Sequence, residues 1–452
     1  MKAIILAAGQ GKRMHSNLQK VMHPILGQTI IQYVVEAAKD AGSSDITVVI
    51  GRDGESIETE LKRFGKNIKF AIQEPPLGTG HAVQAAISGI NAGDDVLILY
   101  GDMPLVTPEF IGEMASFYRA NSCDAVVSAV YRPDEHDFGR VYDQNGHFIE
   151  IVEARDMTSQ SPHTDWANIG IYLIKGEALL SGLSRMTNNN SQKEYYLTDV
   201  PKILKEDGRI VKVFHTREDI STFAGINTQT QLAEAVAHMR KRVNELHMNN
   251  GVRMIDPINV FLDKTVTIAG GAVLYPGSIL EGKCEIGAGA IIGPNTHMMD
   301  TIVGANARVR QSVTEGAKIG EGTEVGPFAY LRPGTVIGKN CKVGDFVEVK
   351  NAVLGDETKV SHLAYIGDAD VGSGVNFGCG AITANYDGAK KHRTIIGNNA
   401  FIGSNSNLIA PVEVGDNAFV AAGSTITENL PADAFGIARS RQTVKLKWRK
   451  QK

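Results

Sequence analysis

The feature that most constrains the fold is a six-residue repeat of apolar residues in the second half of the chain. Three runs carry it, with members six positions apart: Leu274, Leu280, Ile286, Ile292 and Met298; Ile319, Val325, Leu331, Ile337, Val343 and Val349; and Ile396, Ile402, Leu408, Val414, Val420 and Ile426. Glycine often follows the apolar residue, and 28 of the 48 glycines lie beyond residue 227. A period of six fits neither an α-helix nor an alternating strand, and it predicts a hexapeptide solenoid, a parallel β-helix with three hexapeptides in each coil.

The repeat is interrupted between Phe377 and Ile396, and we expect this to be the only break. Solenoids extrude insertions as loops on one face, often the binding face. The interrupting segment, 383–393, carries the basic residues Lys390, Lys391, His392 and Arg393. We therefore expect a functional loop there.

The first half of the chain, residues 1–227, has the pattern of an α/β domain. Strand-like apolar runs at 3–8, 46–50 and 96–100 alternate with helix-like segments at 30–38 and 80–90. This alternation predicts a mostly parallel sheet with helices on both faces, and ligands bind beyond the carboxyl ends of such strands.

Residues 228–250 predict an amphipathic helix that links this domain to a solenoid over residues 251–452. Its apolar stripe consists of Leu232, Val236, Met239, Val243 and Leu246. A free coiled coil is the alternative for this segment.

Two segments after predicted strands carry candidate chemistry, and we expect them to face one crevice. The loop Gly9–Arg13 has glycines that let backbone N–H groups approach phosphate, although such a turn is also common as plain structure. It is neither a P-loop nor a dinucleotide fingerprint. Asp102 is placed to hold Mg²⁺ on a phosphate, and its alternative role is to cap a turn before Pro104.

A second candidate site follows from the length of a coil. Arg332 and Lys350 are three hexapeptides apart, and each follows an inward apolar residue, so they should stack on adjacent coils. Two stacked cations repel unless an anion lies between them, which makes a phosphate the natural ligand. The alternative is that both side chains extend into water. Ser404 and Ala422 have the same spacing, and their small side chains leave room for an extended ligand.

Composition excludes several other classes of protein. Lys and Arg total 46 against 50 for Asp and Glu, which does not support bulk binding to nucleic acid or to a membrane surface. Cys123, Cys284, Cys341 and Cys379 are far apart, which argues against a disulfide framework or zinc site and fits a cytoplasmic protein. No apolar run approaches the length of a membrane span.

Further motifs identify a family. Residues 1–227 resemble the sugar-nucleotide pyrophosphorylases in LAAGxGxRM, Tyr100-Gly-Asp, Phe138-Gly-Arg, Ile151-Val-Glu, Asn168-Ile-Gly and Glu194-Tyr-Tyr-Leu-Thr-Asp. The β-helix adds Arg332-Pro-Gly, Ser361-His-Leu, Tyr365-Ile-Gly-Asp and Asn385-Tyr-Asp-Gly. Together they make the whole chain similar to the bifunctional glucosamine-1-phosphate N-acetyltransferases and N-acetylglucosamine-1-phosphate uridylyltransferases.

For the first domain, the resemblance implies a Rossmann-like nucleotidyltransferase. It would use UTP and Mg²⁺ to convert N-acetylglucosamine-1-phosphate into UDP-N-acetylglucosamine, a precursor for peptidoglycan and for lipopolysaccharide or teichoic acid. The implied nucleotide and sugar-phosphate residues are Leu6, Ala7, Ala8, Gly9, Arg13, Lys20, Gln73, Gly78, Thr79, Tyr100, Gly101, Gly139, Glu153, Asn168 and Asn227. The implied metal ligands are Asp102 and Asn227, although Asn227 is also placed to cap the following helix. Gln10, Lys12 and Lys193 depart from the commoner family residues.

For the second domain, the resemblance implies a left-handed parallel β-helix that transfers acetyl from acetyl-CoA to glucosamine-1-phosphate, with His362 as general base. The implied substrate residues are Arg332, Lys350, Tyr365, Asn376, Asn385 and Tyr386. The implied acetyl-CoA residues are Cys379, Lys391, Ser404, Ala422 and Arg439. Cys379 needs no nucleophilic role, and the basic tail Lys445–Lys452 either adds to coenzyme A binding or is a solvated end.

Three hypotheses remain open from the sequence. The first is the bifunctional enzyme, a cytoplasmic homotrimer in the implied family. The second is a pyrophosphorylase whose β-helix only assembles or regulates it. The third is a catalytically silent scaffold. The set Arg332, His362, Asn385 and Lys391 favours the first.

Overall fold

The structure is a computed structural model that describes residues 1–9, 11–65, 68–133, 138–158, 161–446 and 448. Gln10 of the glycine loop and residues 447 and 449–452 of the basic tail lie outside the described residues. The chain forms two compact units, Met1–Met239 and Arg240–Lys452. The boundary lies within a helix that the sequence predicts as a linker.

The first unit contains a nine-stranded sheet. Its strands are β1 (Lys2–Leu6), β2 (Asp45–Ile50), β3 (Ile68–Ile72), β4 (Asp95–Tyr100), β5 (Ala125–Tyr131), β6 (Arg140–Gln144), β7 (His147–Val152), β8 (Trp166–Lys175) and β9 (Val211–Thr216). Their order is β3-β2-β1-β4-β8-β5-β9-β7-β6. β3, β2, β1, β4, β5 and β9 run in one direction and β8 runs against its neighbours, which confirms the predicted mostly parallel sheet.

In the part of the chain that the structure describes, the α-helices are α1 (Ile30–Asp40), α2 (Glu55–Leu61), α3 (Thr79–Ala85), α4 (Pro108–Ala120), α5 (Gly176–Arg185), α6 (Asp199–Glu206) and α7 (Gln229–Asn249). Short 3₁₀ turns lie at Lys12–Met14, Lys20–Met22, Lys62–Phe64, Ile87–Gly89, Ile220–Phe223 and Pro257–Asn259, and Pro24–Ile25 pairs with Gln28–Thr29. α4 begins where sequence rules place it, since Thr107 accepts a hydrogen bond from the Phe110 N–H and Pro108 takes the first helical position.

β1 and β4 bring two predicted site segments together. They pair in parallel with Leu6 opposite Tyr100, and the Gly101 N–H continues the pairing with a 2.8 Å hydrogen bond to the Leu6 carbonyl. A Cβ on Gly101 would lie 3.0 Å from that carbonyl oxygen, so this approach favours glycine. The glycine loop and Asp102 therefore leave the sheet at the same edge, as predicted.

The second unit is a three-faced solenoid whose strands all pair in parallel. The first face contains Arg253–Met254, Val273–Leu274, Ile291–Ile292, Arg308–Val309, Glu324–Val325, Lys342–Asp345, Lys359–His362, Asn376–Phe377, Phe401–Ile402, Phe419–Val420 and Phe435–Gly436. The second contains Val260–Leu262, Ser278–Glu281, His297–Met299, Val313–Glu315, Tyr330–Leu331, Glu348–Lys350, Tyr365–Gly367, Ile382–Ala384, Asn407–Ile409 and Thr425–Ile426. The third contains Thr267–Ile268, Glu285–Ile286, Ile302–Val303, Lys318–Ile319, Val336–Ile337, Val353–Leu354, Ala369–Val371, Thr394–Ile396 and Val412–Val414.

The length of a coil is less regular than the sequence analysis expects. The coil from Ile402 to Val420 has the expected three full hexapeptides, but the coil from Val360 to Phe377 is shorter by one position, and the coil from Val303 to Ile319 is shorter still. The insertion lengthens a further coil, from Phe377 to Ile402. The expectation of a single break is therefore wrong. Some corners of the solenoid are one residue shorter than the hexapeptide predicts. Val303 follows Met298 after five positions instead of six, and its side chain is still buried in the core.

Helix α7 buries only part of the predicted stripe: Leu232 and Val236 are half-buried. Ala235, Met239, Val243 and Asn244 are buried, whereas Leu246 is exposed. Asn244 is buried because its side-chain amide donates hydrogen bonds of 2.8 and 3.0 Å to the carbonyls of Pro257 and Val260. Among the described residues, no helix combines the length and the apolar character needed to cross a bilayer.

Candidate active sites

A cavity of about 260 Å³ lies beyond the carboxyl ends of β1 and β4. Nine of the predicted nucleotide-site residues and the predicted metal ligand Asp102 line it: Leu6, Ala7, Ala8, Gly9, Lys20, Gln73, Gly78, Thr79, Tyr100 and Asp102. Glu194, which begins one of the family motifs, also lines it, as do Val21, Pro76 and Ala82, which were not predicted. Their signal is weak because apolar and proline residues carry no chemistry that a motif would reveal.

The glycine loop also borders a second cavity of about 620 Å³. Lys12, one of the departures, lines this cavity together with Gly9, Arg52 and Gln73. Arg13 lies in the adjoining 3₁₀ turn with its side chain exposed. The loop therefore places Lys12 beside the second cavity, whereas predicted Arg13 lines neither cavity.

Lys20 joins the two predicted metal ligands. Its ammonium lies 2.6 Å from a carboxylate oxygen of Asp102 and 3.1 Å from the amide oxygen of Asn227. The Asn227 side chain does not cap α7, because Thr228 does so by accepting a hydrogen bond from the Gln231 N–H. Asp102 forms an ion pair with Lys20.

The same oxygens fit a divalent cation. A carboxylate and an amide oxygen already converge on one positive charge, and Mg²⁺ takes one or two such protein ligands and completes its shell with water and phosphate. Gly225 leaves space for this cluster, since a Cβ there would lie 3.3 Å from an Asp102 carboxylate oxygen. Within the described ranges no group of three or more His, Cys, Asp and Glu side chains could hold a metal, so substrate phosphate would have to complete the site.

Gln73, Gly78 and Thr79 form one wall of the first cavity. The Gln73 side chain donates a 2.9 Å hydrogen bond to the Gly78 carbonyl, and the Thr79 hydroxyl accepts one of 3.1 Å from the Leu197 N–H. Gly78 has φ of 109°, and a Cβ would lie 2.7 Å from the Tyr195 carbonyl oxygen. The motif beginning at Glu194 therefore braces this wall.

The predicted sugar residues Gly139, Glu153 and Asn168 come together nearby. A Cβ on Gly139 would lie 3.3 Å from a Glu153 carboxylate oxygen, and the Asn168 N–H donates a 2.8 Å hydrogen bond to the Gly139 carbonyl. Burial raises the pKa of Glu153, although the Thr198 hydroxyl donates to it at 2.9 Å. Glu153 lines a polar cavity of about 400 Å³. Burial also raises the pKa of Tyr100.

On the solenoid, Arg332 and Lys350 occupy the predicted register. Leu331 pairs with Val349, and the Arg332 N–H donates a 2.9 Å hydrogen bond to the Val349 carbonyl. The guanidinium of Arg332, however, lies 2.9 Å from the carboxylate of Glu348, which raises the pKa of Arg332. Two alternatives were predicted: a phosphate bound between the two cations, or both side chains extended into water. The structure instead pairs Arg332 with the protein's own carboxylate, Glu348.

Lys350 lies instead beside Lys391 of the insertion loop. The neighbouring charge of Lys350 lowers the pKa of Lys391. Both ammonium groups face Asp368. Burial alone would raise the pKa of Asp368, but hydrogen bonds from Asn351 and Asn385 and the charges of the two lysines lower it overall. The 2.6 Å hydrogen bond from Asn351 and the one from Asn385 hold this carboxylate. Two adjacent ammonium groups make this the most basic point of the candidate site.

Three more predicted substrate residues have different places. Tyr365 belongs with the lysine cluster, since its hydroxyl accepts a 3.4 Å hydrogen bond from Asn385. Tyr386 is exposed in the insertion loop and donates to the Gly388 carbonyl at 2.7 Å. Asn376 lies on the first face, next to Lys359 and Phe401, so within one chain the solenoid does not bring it to Tyr365.

His362 lies at the corner between the first and second faces. Its Nδ1 is 2.7 Å from a carboxylate oxygen of Asp345, which is its register partner on the preceding coil. The sequence analysis missed Asp345 because it assumes three full hexapeptides in every coil, which points to Gly344 instead. The coil from Asp345 to His362 is shorter by one position.

The predicted acetyl-CoA residues form a column at this same corner. The pairing of Val360 with Phe377 and of Ile402 with Val420 places Cys379 next to His362 and Ala422 next to Ser404. Asn405 donates to the Cys379 carbonyl at 2.8 Å, and Arg439 donates to the Ala422 carbonyl at 2.9 Å. Lys391 lies with Lys350 rather than in this column.

Comparison with known proteins separates the two units in the same way. The MobA-like NTP transferase domain family matches residues 3–195, and the bacterial transferase hexapeptide family matches residues 316–351 and 393–428. The chain is similar to the bifunctional protein GlmU of Acetivibrio thermocellus, with 45% identity over 99% of this chain and 97% of that protein. GlmU of Clostridium kluyveri is 43% identical over 99% and 97%, and that of Clostridioides difficile 41% over 100% and 98%.

The chain belongs to the GlmU family. It is a bifunctional enzyme of UDP-N-acetylglucosamine synthesis, with acetyltransferase and uridylyltransferase activities. The hexapeptide match and the three parallel sheets support the predicted left-handed β-helix. Membership also implies nucleotide and acetyl-CoA substrates, with a metal for the nucleotide reaction.

Lys193, one of the departures from the family pattern, has a strained backbone conformation. Lys193, where a glycine is common, has φ of 55°, the left-handed region that glycine enters without strain. Lys193 is exposed, so its side chain fits even though its backbone is strained. The departure therefore affects stability more directly than binding.

Proposed function

We propose that the solenoid acetylates glucosamine-1-phosphate through His362 and the lysine cluster, and that the first unit then transfers uridylyl from UTP around Lys20 and Asp102. The observation that carries this proposal is that each unit has polar groups of its own. In the first, Lys20 lies with Asp102 and Asn227. In the second, Lys350 lies beside Lys391 at the end of a second-face strand, and His362 pairs with Asp345 at another corner. The positive charge of Lys20 suits the phosphates of UTP, and the positive charges of Lys350 and Lys391 suit the phosphate of glucosamine-1-phosphate.

For acetyl transfer, the sugar phosphate binds the adjacent ammonium groups of Lys350 and Lys391, and Arg332 approaches it from the neighbouring coil. Tyr365, Asn376, Asn385 and Tyr386 bind or orient the sugar. His362 takes a proton from the amine as its nitrogen attacks the thioester carbonyl. The pantetheine arm runs along Cys379, Ser404 and Ala422, with Arg439 at its end.

For uridylyl transfer, Asp102 and Asn227 would hold Mg²⁺, which would neutralise charge on the triphosphate. Lys20 and the glycine loop bind the phosphates, and Gln73 with Thr79 borders the base. Gly139, Glu153 and Asn168 fix the sugar, so that its phosphate oxygen lies in line with the α-phosphorus. No covalent enzyme intermediate is needed, because positioning and charge neutralisation supply the rate.

The experiment supplies the full chain with glucosamine-1-phosphate, acetyl-CoA, UTP and Mg²⁺ and follows the products by mass. Omission of UTP should leave N-acetylglucosamine-1-phosphate, whereas omission of acetyl-CoA should leave glucosamine-1-phosphate unchanged. Omission of Mg²⁺ should stop only the second step. Accumulation of UDP-glucosamine without acetyl-CoA would contradict the order.

We also propose a cytoplasmic homotrimer that binds neither nucleic acid nor membrane. Support for assembly comes from Phe328 and Phe346, which stack at 5.5 Å between ring centroids close to His362 and are 55% and 60% exposed. Phe346→Asp should reduce the molar mass measured by light scattering from three chains to one. An unchanged mass would contradict an interface at this corner.

A further inference from the structure

His362 has a carboxylate partner on the preceding coil. Asp345 ends the strand Lys342–Asp345, and His362 ends the paired strand Lys359–His362. Nδ1 of His362 lies 2.7 Å from Oδ1 of Asp345. Both side chains are accessible, at 60% for His362 and 39% for Asp345, so the contact is not forced by core packing.

We propose that Asp345 is a positioning residue that holds His362 in the Nδ1–H tautomer and directs its Nε2 toward the substrate amine. This rests on the proposed role of His362 as general base. A carboxylate only accepts hydrogen bonds, so the proton between the two groups belongs to Nδ1. The lone pair then lies on Nε2, which is the ring atom left to act as a base.

The charge of Asp345 supports this assignment. The hydrogen bond with His362 and the backbone N–H of Asp345 itself lower the pKa of Asp345, and Lys342 adds to the effect. Asp345 is therefore an anion at neutral pH. When Nε2 accepts the amine proton, this anion faces the new imidazolium charge across the Nδ1–H bond.

The solenoid fixes the distance between the two residues. The Leu363 N–H donates a 2.9 Å hydrogen bond to the Asp345 carbonyl, so the backbones are joined beside the pair. At Gly344, just before Asp345, a Cβ would overlap the Ser361 carbonyl oxygen, which shows how closely the coils approach. The pair is therefore set by strand register.

The proton balance requires no proton on Asp345. The amine nitrogen forms a bond to the acetyl carbon, the carbon–sulfur bond of the thioester breaks, and the nitrogen's proton passes to Nε2. The departing thiolate then takes this proton from Nε2, which restores the neutral ring, and Nδ1–H remains bonded to the ring throughout. Asp345 acts only through the ring that it orients.

Kinetics of the full chain test the role. Asp345→Asn should lower kcat for acetyl transfer about 10- to 100-fold, by analogy with partners that orient metal-bound histidines. KM for both substrates and the uridylyl transfer rate should change less than about twofold, and Asp345→Glu should recover most of kcat. The matched control is Glu281→Gln, which removes the carboxylate from another pair between coils, 2.6 Å from His297. An unchanged kcat in Asp345→Asn, or an equal loss in Glu281→Gln, would overturn the proposal.

A spectroscopic test does not depend on any Asp345 variant folding. In full chain labelled with ¹⁵N-histidine, the signals that disappear in His362→Gln belong to His362. Nitrogen shifts of the unaltered chain above the imidazole transition should show the Nδ1–H tautomer, and a dominant Nε2–H tautomer would disprove the proposal. If His362→Gln itself retained acetyl transfer, the general-base role would fail instead, so the two failures are distinguishable.

Discussion

In the first unit, the ion pair of Lys20 and Asp102 is mostly withdrawn from solvent, with side-chain exposures of 11% and 18%, whereas His362 and Asp345 on the solenoid are 60% and 39% exposed. The first pair lies at the end of a buried sheet, where helices and loops enclose a cavity. The second lies on a corner whose geometry comes from coil register. The first site is formed by burial within the α/β unit, and the second by the alignment of successive coils. A substitution in one site should therefore leave the other site unchanged.

His362→Ala is expected to produce the largest difference between the two activities. Loss of a general base costs about 10²- to 10⁴-fold in rate, so acetyl transfer should fall by that factor. Uridylyl transfer from supplied N-acetylglucosamine-1-phosphate should stay within about twofold. Separate steady-state assays measure both, and parallel loss of both activities in a folded variant would break the comparison.

Asp102→Asn should produce the opposite pattern. The substitution keeps the shape but removes the charge that pairs with Lys20, and we expect uridylyl transfer to fall at least about 100-fold. Acetyl transfer should not change. Pyrophosphate release measures the first and free thiol the second, and normal Mg²⁺-dependent kinetics would remove Asp102 from the site.

The lysine cluster allows a sharper test within one loop. Lys391→Gln should raise KM for glucosamine-1-phosphate about 10-fold, because a hydrogen bond to a charged group contributes about 1.5 to 3 kcal/mol. Lys390→Gln is the matched control: its residue is exposed in the same loop, and its N–H bonds Asp387. Equal effects of the two variants would mean that the loop contributes only general charge.

Burial in the first unit predicts a pH-dependent effect of Glu153→Gln on stability. Burial raises the pKa of Glu153, so the ionised form is disfavoured by folding and wild-type stability declines as pH rises through the range between the unfolded and folded pKa. The glutamine variant does not ionise. Its melting temperature should exceed that of the wild type at pH 8, and the difference should shrink toward pH 4. A constant difference would indicate a packing effect alone.

The smallest expected effect is a gain in stability from Lys193→Gly. The left-handed backbone at this position costs a non-glycine residue about 1 kcal/mol, which corresponds to a rise of about 2 to 4 °C in melting temperature. Both activities should remain within about twofold, and calorimetry measures the shift. A lower melting temperature would show that the Lys193 side chain contributes contacts of its own.

The six-residue period predicted the solenoid and its core residues. It did not predict the register at coils that are shorter than three full hexapeptides. The three apolar runs all enter the solenoid core, and Arg332 and Lys350 fall into register. Asp345 was missed because its coil loses one residue further along, between Val349 and Leu354, a change that alters no apolar residue. A local count of the steps between apolar residues would have found it.

Contacts made by long side chains and insertions were not predictable from spacing. Lys391 lies beside Lys350, which ends a second-face strand. The insertion leaves the solenoid between the second-face strand Ile382–Ala384 and the third-face strand Thr394–Ile396, and no repeat encodes its path. Leu246 was misplaced because Asn244, a polar residue, uses hydrogen bonds to take the buried position. In the α/β unit, by contrast, motifs at strand ends were enough to predict which residues lie together, because the carboxyl ends of parallel strands lie at one edge of the sheet.

The most direct test of two independent sites combines the two inactive variants. Supplied with glucosamine-1-phosphate, acetyl-CoA, UTP and Mg²⁺, neither His362→Ala nor Asp102→Asn alone should form UDP-N-acetylglucosamine at more than a small fraction of the normal rate. An equimolar mixture should restore its formation, because the acetylated intermediate leaves one enzyme and enters the other. A mixture as inactive as its components, with both variants folded, would contradict the account.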